Sequence, residues 1–273
     1  MASMASAVCV LDTAVRTTPA GSRPAARQAA SIRARTSATR SAMDGGAEAG
    51  EEGVMILPAG YSDDARTLWD VATALNRAAA AVSPRAAALP PLLFFTDPDR
   101  TPRPWDTAAR LPAGSAVVYR AFGVPDALET GLKLREATTR AAVRLLVGQD
   151  ANLAEAASAD GLHLPERPAH GAPAMRAAHP DWLLTAAWHG GATLTEGLDA
   201  LVLSPVFPAG GASASKPALG AEAFSARAAQ AGLPIYALGG VDVTNASQIV
   251  GACGLAGVDA IRSAFGAPPR IRT

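Results

Sequence analysis

From residue 92 onward the chain repeats one pattern: a short, nearly continuous apolar run, a polar or glycine break, then a longer Ala- and Leu-rich amphipathic stretch. The apolar runs fall at residues 92–96, 115–120, 143–147, 161–164, 183–187, 200–203, 235–238 and 258–261. Runs without strict in–out alternation belong to parallel strands covered on both faces. Eight strand-then-helix units within about 175 residues predict an α/β fold, a compact (β/α)8 TIM barrel. An open doubly wound sheet is the alternative, but no GxGxxG follows the first run. Upstream, Leu68, Val71, Ala74 and Leu75 recur at helical spacing behind the capping cluster Ser62-Asp63-Asp64, which predicts a helix over residues 63–80 packed on the barrel's bottom or side. Ser83-Pro84 and Leu89-Pro90-Pro91 break the chain before the first strand. The expected division is thus a helix and linker at 54–91, a barrel at 92–267 and a tail at 268–273.

Residues 1–53 follow a different pattern. Up to Arg40 they are rich in Ala, Ser, Thr and Arg with Asp12 as the only acid, and a Gly/Glu segment follows. Without sustained apolar periodicity they cannot bury enough surface to offset ordering entropy, so a disordered extension is expected. Three readings fit it: a start placed too far upstream, with Met43 or Met55 as the true start; an organelle transit peptide; and a plain tail.

Composition narrows the partners. The 24 basic and 24 acidic side chains of the 273 residues balance, which removes the electrostatic reason to expect nucleic acid or an acidic membrane. No run of eighteen apolar residues exists, so no membrane span is expected. A cytoplasmic protein acting on a small molecule is the expectation, with a homo-oligomer left open. Cys9 and Cys253 offer neither metal spacing nor a disulfide framework, and the Ala/Gly-rich surroundings of Cys253 predict a buried thiol.

Only the rim at the C-terminal ends of barrel strands is free to face a ligand. Read there, the chain offers Thr96-Asp97, Arg120, Gln149-Asp150, Glu166, His189, Ser204, Gly239-Gly240 and Arg262-Ser263. Gly239 and Gly240 follow the seventh run and let backbone N–H groups approach an anion. Arg262 and Ser263 follow the eighth and can add charge and a hydroxyl donor. Together they predict a phosphate cradle, the plain alternative being two tight turns.

Several of these segments carry a resemblance. Thr96-Asp97-Pro98, Asp160-Gly161-Leu162-His163-Leu164, Leu203-Ser204-Pro205-Val206-Phe207-Pro208, Leu238-Gly239-Gly240-Val241 and Ala256-Gly257-Val258-Asp259-Ala260-Ile261 occur in an order and spacing that resembles the thiamine phosphate synthase/TenI family across the barrel. The resemblance implies a role in thiamine biosynthesis and a site for thiazole phosphate or thiamine phosphate. In synthases of the family a pyrimidine diphosphate reacts with thiazole phosphate; Mg²⁺ held by two aspartates and an Arg-x-Lys after strand two grip the diphosphate. TenI-type members share the barrel, and some isomerise the thiazole phosphate with a histidine after strand five.

Against that pattern, Arg120 matches the arginine but Phe122 replaces the lysine. The Asn-Asp after strand three falls on Gly148-Gln149, and the second metal aspartate falls near Pro168. Mg²⁺ needs hard anionic oxygens that these residues do not supply. Asp150 and Glu166 are the nearby substitutes, or else ordinary loop acids. No other cofactor is expected. His189 matches the TenI-type histidine and is the candidate catalytic base, or a structural residue at a glycine turn. Trp188 either stacks on a ring or fills a gap; His163 is expected to be hydrogen-bonded and structural. Arg120, Gln149, Ser204, Lys216, Gly239, Gly240, Arg262 and Ser263 complete the candidate substrate contacts. A TenI-like tautomerase or accessory protein is favoured over a full synthase using Arg120, Asp150, Glu166 and Lys216. A non-catalytic phosphate-ligand-binding barrel and an unrelated phosphate-binding barrel are the further alternatives.

Overall fold

The computed structural model describes residues 49–50, 54–55, 57–191, 196–211 and 214–266. Most of the expected extension and the tail at 268–273 lie outside them; Ala49–Gly50 pairs antiparallel with Val54–Met55, across the expected boundary at 53/54. Eight parallel strands close into a barrel: β1 Leu92–Phe95, β2 Ala116–Tyr119, β3 Arg144–Gly148, β4 Gly161–Leu164, β5 Leu183–Trp188, β6 Ala200–Leu203, β7 Ile235–Leu238 and β8 Gly254–Gly257. Closure is made at β8, where Leu255 pairs with Ala237 on one side and Leu92 on the other.

The strands show no polar alternation because both faces are covered. Leu93, Phe95, Val118, Leu146, Val202 and Tyr236 form one buried cluster, the barrel interior. Their neighbours Leu92, Phe94, Val117, Leu145, Leu201 and Ile235 join a second cluster with the helix residues Leu134, Leu153, Phe224 and Phe265. Helices follow the strands as α2 Pro104–Ala108, α3 Ala127–Arg140, α4 Ala151–Ala156, α5 Ala172–Ala178, α6 Ala221–Ala228 and α7 Asp259–Phe265, after the leading helix α1 Asp63–Val82. Between β7 and β8 a 3-10 turn, Ala246–Gln248, stands where the repeat predicts a full helix.

Helix α1 begins where the capping cluster predicts, with Ser62 Oγ accepting from Ala65 N at 3.2 Å, and buries Leu68, Trp69 and Ala72. It closes the N-terminal end of the barrel. Asn76 Nδ2 lies within hydrogen-bonding distance of the carbonyls of Ala86, Leu89 and Cys253, at 3.1, 3.2 and 3.1 Å, and Tyr236 Oη donates to Pro90 O at 2.6 Å.

The eighth strand corrects the sequence reading. It is Gly254–Gly257, and most of the run at 258–261 belongs to α7. Glycine is required at 254, because a Cβ there would lie 2.3 Å from Pro91 O; small residues with low strand propensity hide this strand. Ile261 and Phe265, four apart, face the core as one side of α7. Arg262 and Ser263 are therefore not past a strand end but on the exposed face of this helix.

Candidate active site at the C-terminal rim

A cleft of about 220 Å³ opens beyond the strand ends. Arg100, Arg120, Ser204, Gly239, Gly240 and Asp259 are among the residues that line it. A larger apolar groove of about 760 Å³ between α1 and α6 has no charged residue in its wall, so it does not suit a phosphate.

Arg100, Arg120, Asp242 and Asp259 are the charged side chains of the cleft wall. Arg120, just past β2, is fixed by its own backbone N–H donating to Thr96 Oγ1 (2.9 Å) and by Nε donating to Thr96 O (2.7 Å). Its guanidinium lies between the rings of Phe95 and Phe122, 5.5 and 5.2 Å from their centroids. Burial lowers its pKa to about 10, Asp97 opposing the shift and Arg100 adding to it, so it stays charged at neutral pH. Arg100, from the loop after β1, donates to Asp97 Oδ2 at 3.1 Å and to Asp259 Oδ2 at 2.8 Å. Burial alone would raise the Asp97 carboxyl, but hydrogen bonds from Arg100 and both arginine charges hold it below the usual carboxylate range.

The Gly239-Gly240 pair has its own structural cause. Both have positive φ, 96° and 65°, and a Cβ would lie 2.8 Å from Pro205 Cα at Gly239 and 2.4 Å from Pro208 O at Gly240. The β7 turn thus packs against the 204–208 segment while its backbone lines the cleft. Both halves of the tight-turn-or-cradle choice therefore bear on the same two glycines.

His189, exposed just past β5, is not in the cleft wall, but its ring reaches Ser204, which is. Its backbone N–H donates to Glu166 Oε1 at 2.9 Å, and its ring Nδ1 is 3.0 Å from Ser204 O. A carbonyl only accepts, so Nδ1 carries the proton and Nε2 of the neutral ring keeps a lone pair. This is the arrangement a general base needs. Trp188 is buried, its Nε1 donating to Gly191 O at 2.9 Å, and fills space under the loop rather than offering a stacking face. His163 is buried too, with Nδ1 2.9 Å from Thr185 Oγ1; burial, with a smaller effect from Arg120, pushes its pKa down to about 3. It is a neutral structural residue, as its place inside β4 predicts.

The remaining candidates scatter. Gln149, in the left-handed region at φ 67°, and Lys216 are exposed and absent from the cleft wall, as are Arg262 and Ser263. Asp150 accepts from Leu153 N at 2.9 Å as the N-cap of α4. The site does not fit Mg²⁺. Asp150 is engaged as a cap, Glu166 holds the His189 backbone, Asp97 is ion-paired, and the family's metal positions carry neutral Gln149 and Pro168. Among the described residues no three His, Cys, Asp or Glu side chains come together. Sequence reasoning missed Arg100 and Asp259. The signal available was Asp97-Pro98-Asp99-Arg100, a charged turn directly past a strand end.

In sequence the chain is similar to thiamine-phosphate synthases. A family model described as thiamine monophosphate synthase matches residues 101–264. The thiamine-phosphate synthase of Methanoculleus marisnigri is 32% identical over 142 residues, covering 50% of this chain and 67% of that protein. The thiamine-phosphate synthase of Methylococcus capsulatus is 31% identical over 165 residues, covering 56% and 71%. Among solved structures, the thiamine phosphate pyrophosphorylase from Pyrococcus furiosus superposes with a TM-score of 0.53 at 22% identity, covering 67% of this chain and 94% of that one, which speaks for the barrel fold. The chain belongs to the thiamine monophosphate synthase family.

Proposed function

We propose that this protein binds thiazole phosphate or thiamine phosphate in the rim cleft and acts in thiamine biosynthesis as a TenI-like thiazole tautomerase rather than as a full synthase. The observation that carries the reading is the His189 ring. With Nδ1 committed to Ser204 O, Nε2 is left to take a proton from one carbon of a bound thiazole and return it to another. No atom enters or leaves, so the reaction needs neither metal nor leaving group. Glu166 positions the His189 backbone, and Arg120 supplies fixed positive charge beside the cleft. Gly239 and Gly240 give the phosphate close approach to backbone. The weak metal chemistry of the β3 and β4 loops and Phe122 in place of a lysine favour this reading over diphosphate displacement. His189→Ala should lower tautomerase turnover by about 10²–10⁴-fold, the usual worth of a positioned base, with phosphate binding retained. Unchanged turnover would remove the mechanism.

One observation favours a second reading. The relatives just described are named thiamine-phosphate synthases. A synthase built on Arg120, Asp150, Glu166 and Lys216 would release pyrophosphate from the two substrates in a Mg²⁺-dependent manner. Absence of that release at high protein concentration excludes it.

A further inference from the structure

We propose that Arg100 is a phosphate-binding residue of the rim cleft, and that the Asp259 carboxylate occupies its guanidinium until the phosphate of a ligand displaces it. The inference rests on the reading that this cleft takes a phosphate. Arg100 and Asp259 lie 159 positions apart, in the β1 loop and the first turn of α7, yet meet at 2.8 Å inside the cleft wall. The two acids that hold Arg100 are held very differently. Asp97 is locked into its own turn, its Oδ1 accepting from the backbone N–H groups of Asp99 and Arg100 at 3.2 Å each. The Asp259 side chain is 52% exposed, and its other ion contact is the half-exposed Arg262 at a distant 3.9 Å. Asp259 is the partner that can leave.

Unspent donors point the same way. Arg100 Nε and Arg120 Nη2 are buried without a hydrogen-bond partner among the described residues, a costly state for a charged fork with five donors. Gly211 brings backbone across the Arg100 guanidinium, so that a Cβ there would lie 3.0 Å from Cζ; such cover keeps water from one side of the charge and strengthens its interactions. Charge bookkeeping completes the case. Arg100 and Arg120 against Asp97, Asp242 and Asp259 leave one net negative charge, which opposes a dianion. With Asp259 swung out, the remaining four sum to zero, and the Arg100 guanidinium loses its competing carboxylate. A phosphate monoester, with more charge and more acceptor oxygens than a carboxylate, can displace it.

The contrasting role is a plain staple, in which the Arg100–Asp259 pair only fastens α7 to the β1 loop. The two roles predict opposite signs for one variant. The test titrates the full chain with inorganic phosphate by calorimetry at fixed salt, with thermal melts to verify folding. D259N should bind phosphate about 3- to 10-fold more tightly, since it removes a competing anion. R100Q should bind at least about tenfold more weakly, the loss of a charge-assisted hydrogen bond. The double variant should be as weak as R100Q. Unchanged or weaker binding by D259N overturns the proposal. If the wild type binds phosphate and R100Q binds it equally well, this inference fails while the phosphate reading of the cleft stands. If the wild type binds none, the reading of the cleft fails first and takes this inference with it.

Discussion

His163 shows how one side chain sets the protein's response to pH. An ordinary histidine titrates near 6.5, whereas burial in the barrel holds this one to about 3. Between those values the unfolded chain binds a proton that the folded chain refuses. Stability therefore rises with pH across that window and falls as acid is added, by about 1.4 kcal/mol per pH unit at most. Urea unfolding at pH 7.5 and 5.5 should show this loss in the wild type. His163→Asn, which cannot protonate, should show a smaller one, and an identical slope in both proteins would contradict the account. The arginines differ in kind: Arg120 remains charged even at about 10, so no titration of it reaches the neutral range. The residue scale is also where the sequence was least legible. His189, Ser204, Gly239 and Gly240 announce themselves by lying directly past strand ends. Arg100 does not, because only the closed barrel shows that its side chain reaches Asp259, 159 positions away.

At the scale of elements, the turn after β7 is the most constrained part of the rim. A methyl group at residue 240 would have to enter the space of Pro208 O at 2.4 Å while the backbone keeps φ at 65°. Gly240→Ala should cost roughly 1–3 kcal/mol or more in urea unfolding, by strain and displacement together. It should also weaken phosphate binding in the rim cleft, because the turn backbone lines that cleft. Loss of stability below about 0.5 kcal/mol would mean that the turn yields more easily than its contacts indicate. Strands with large apolar residues and the capped α1 were readable from pattern alone, since both carry strong local signals. Strand β8 was not. Gly254-Leu255-Ala256-Gly257 has little strand propensity, and its place is fixed by neighbours β1 and β7, which no local window contains. The neighbouring Val258-Asp259-Ala260-Ile261 looks more like a strand than the strand itself. That single displacement of four residues places Arg262 and Ser263 on a helix face rather than past a strand end.

For the whole molecule, the N-terminal seal matters as much as the rim. Asn76 Nδ2 is in reach of three partly buried carbonyls and has two hydrogens to donate, so removing it leaves acceptors there short of a donor. Asn76→Ala is expected to destabilise the barrel by about 1–3 kcal/mol in chemical denaturation while leaving phosphate affinity at the opposite end within twofold. A large affinity change would mean that the two ends are mechanically linked. In this fold the end that α1 covers serves stability, and the opposite rim is the end free to face a ligand.

The seal has a consequence for synthesis. Asn76 reaches Cys253, and Ser62 Oγ donates to Ala264 O at 3.2 Å, so α1 is joined to residues made about 180 to 200 positions later. During translation the leading helix emerges long before its partners, and its apolar face has nothing final to cover. The ring cannot shut until β8 leaves the ribosome. A nascent chain stalled short of Gly254 should thus remain protease-sensitive from α1 onward, and acquire protection across α1 and the barrel in one late step.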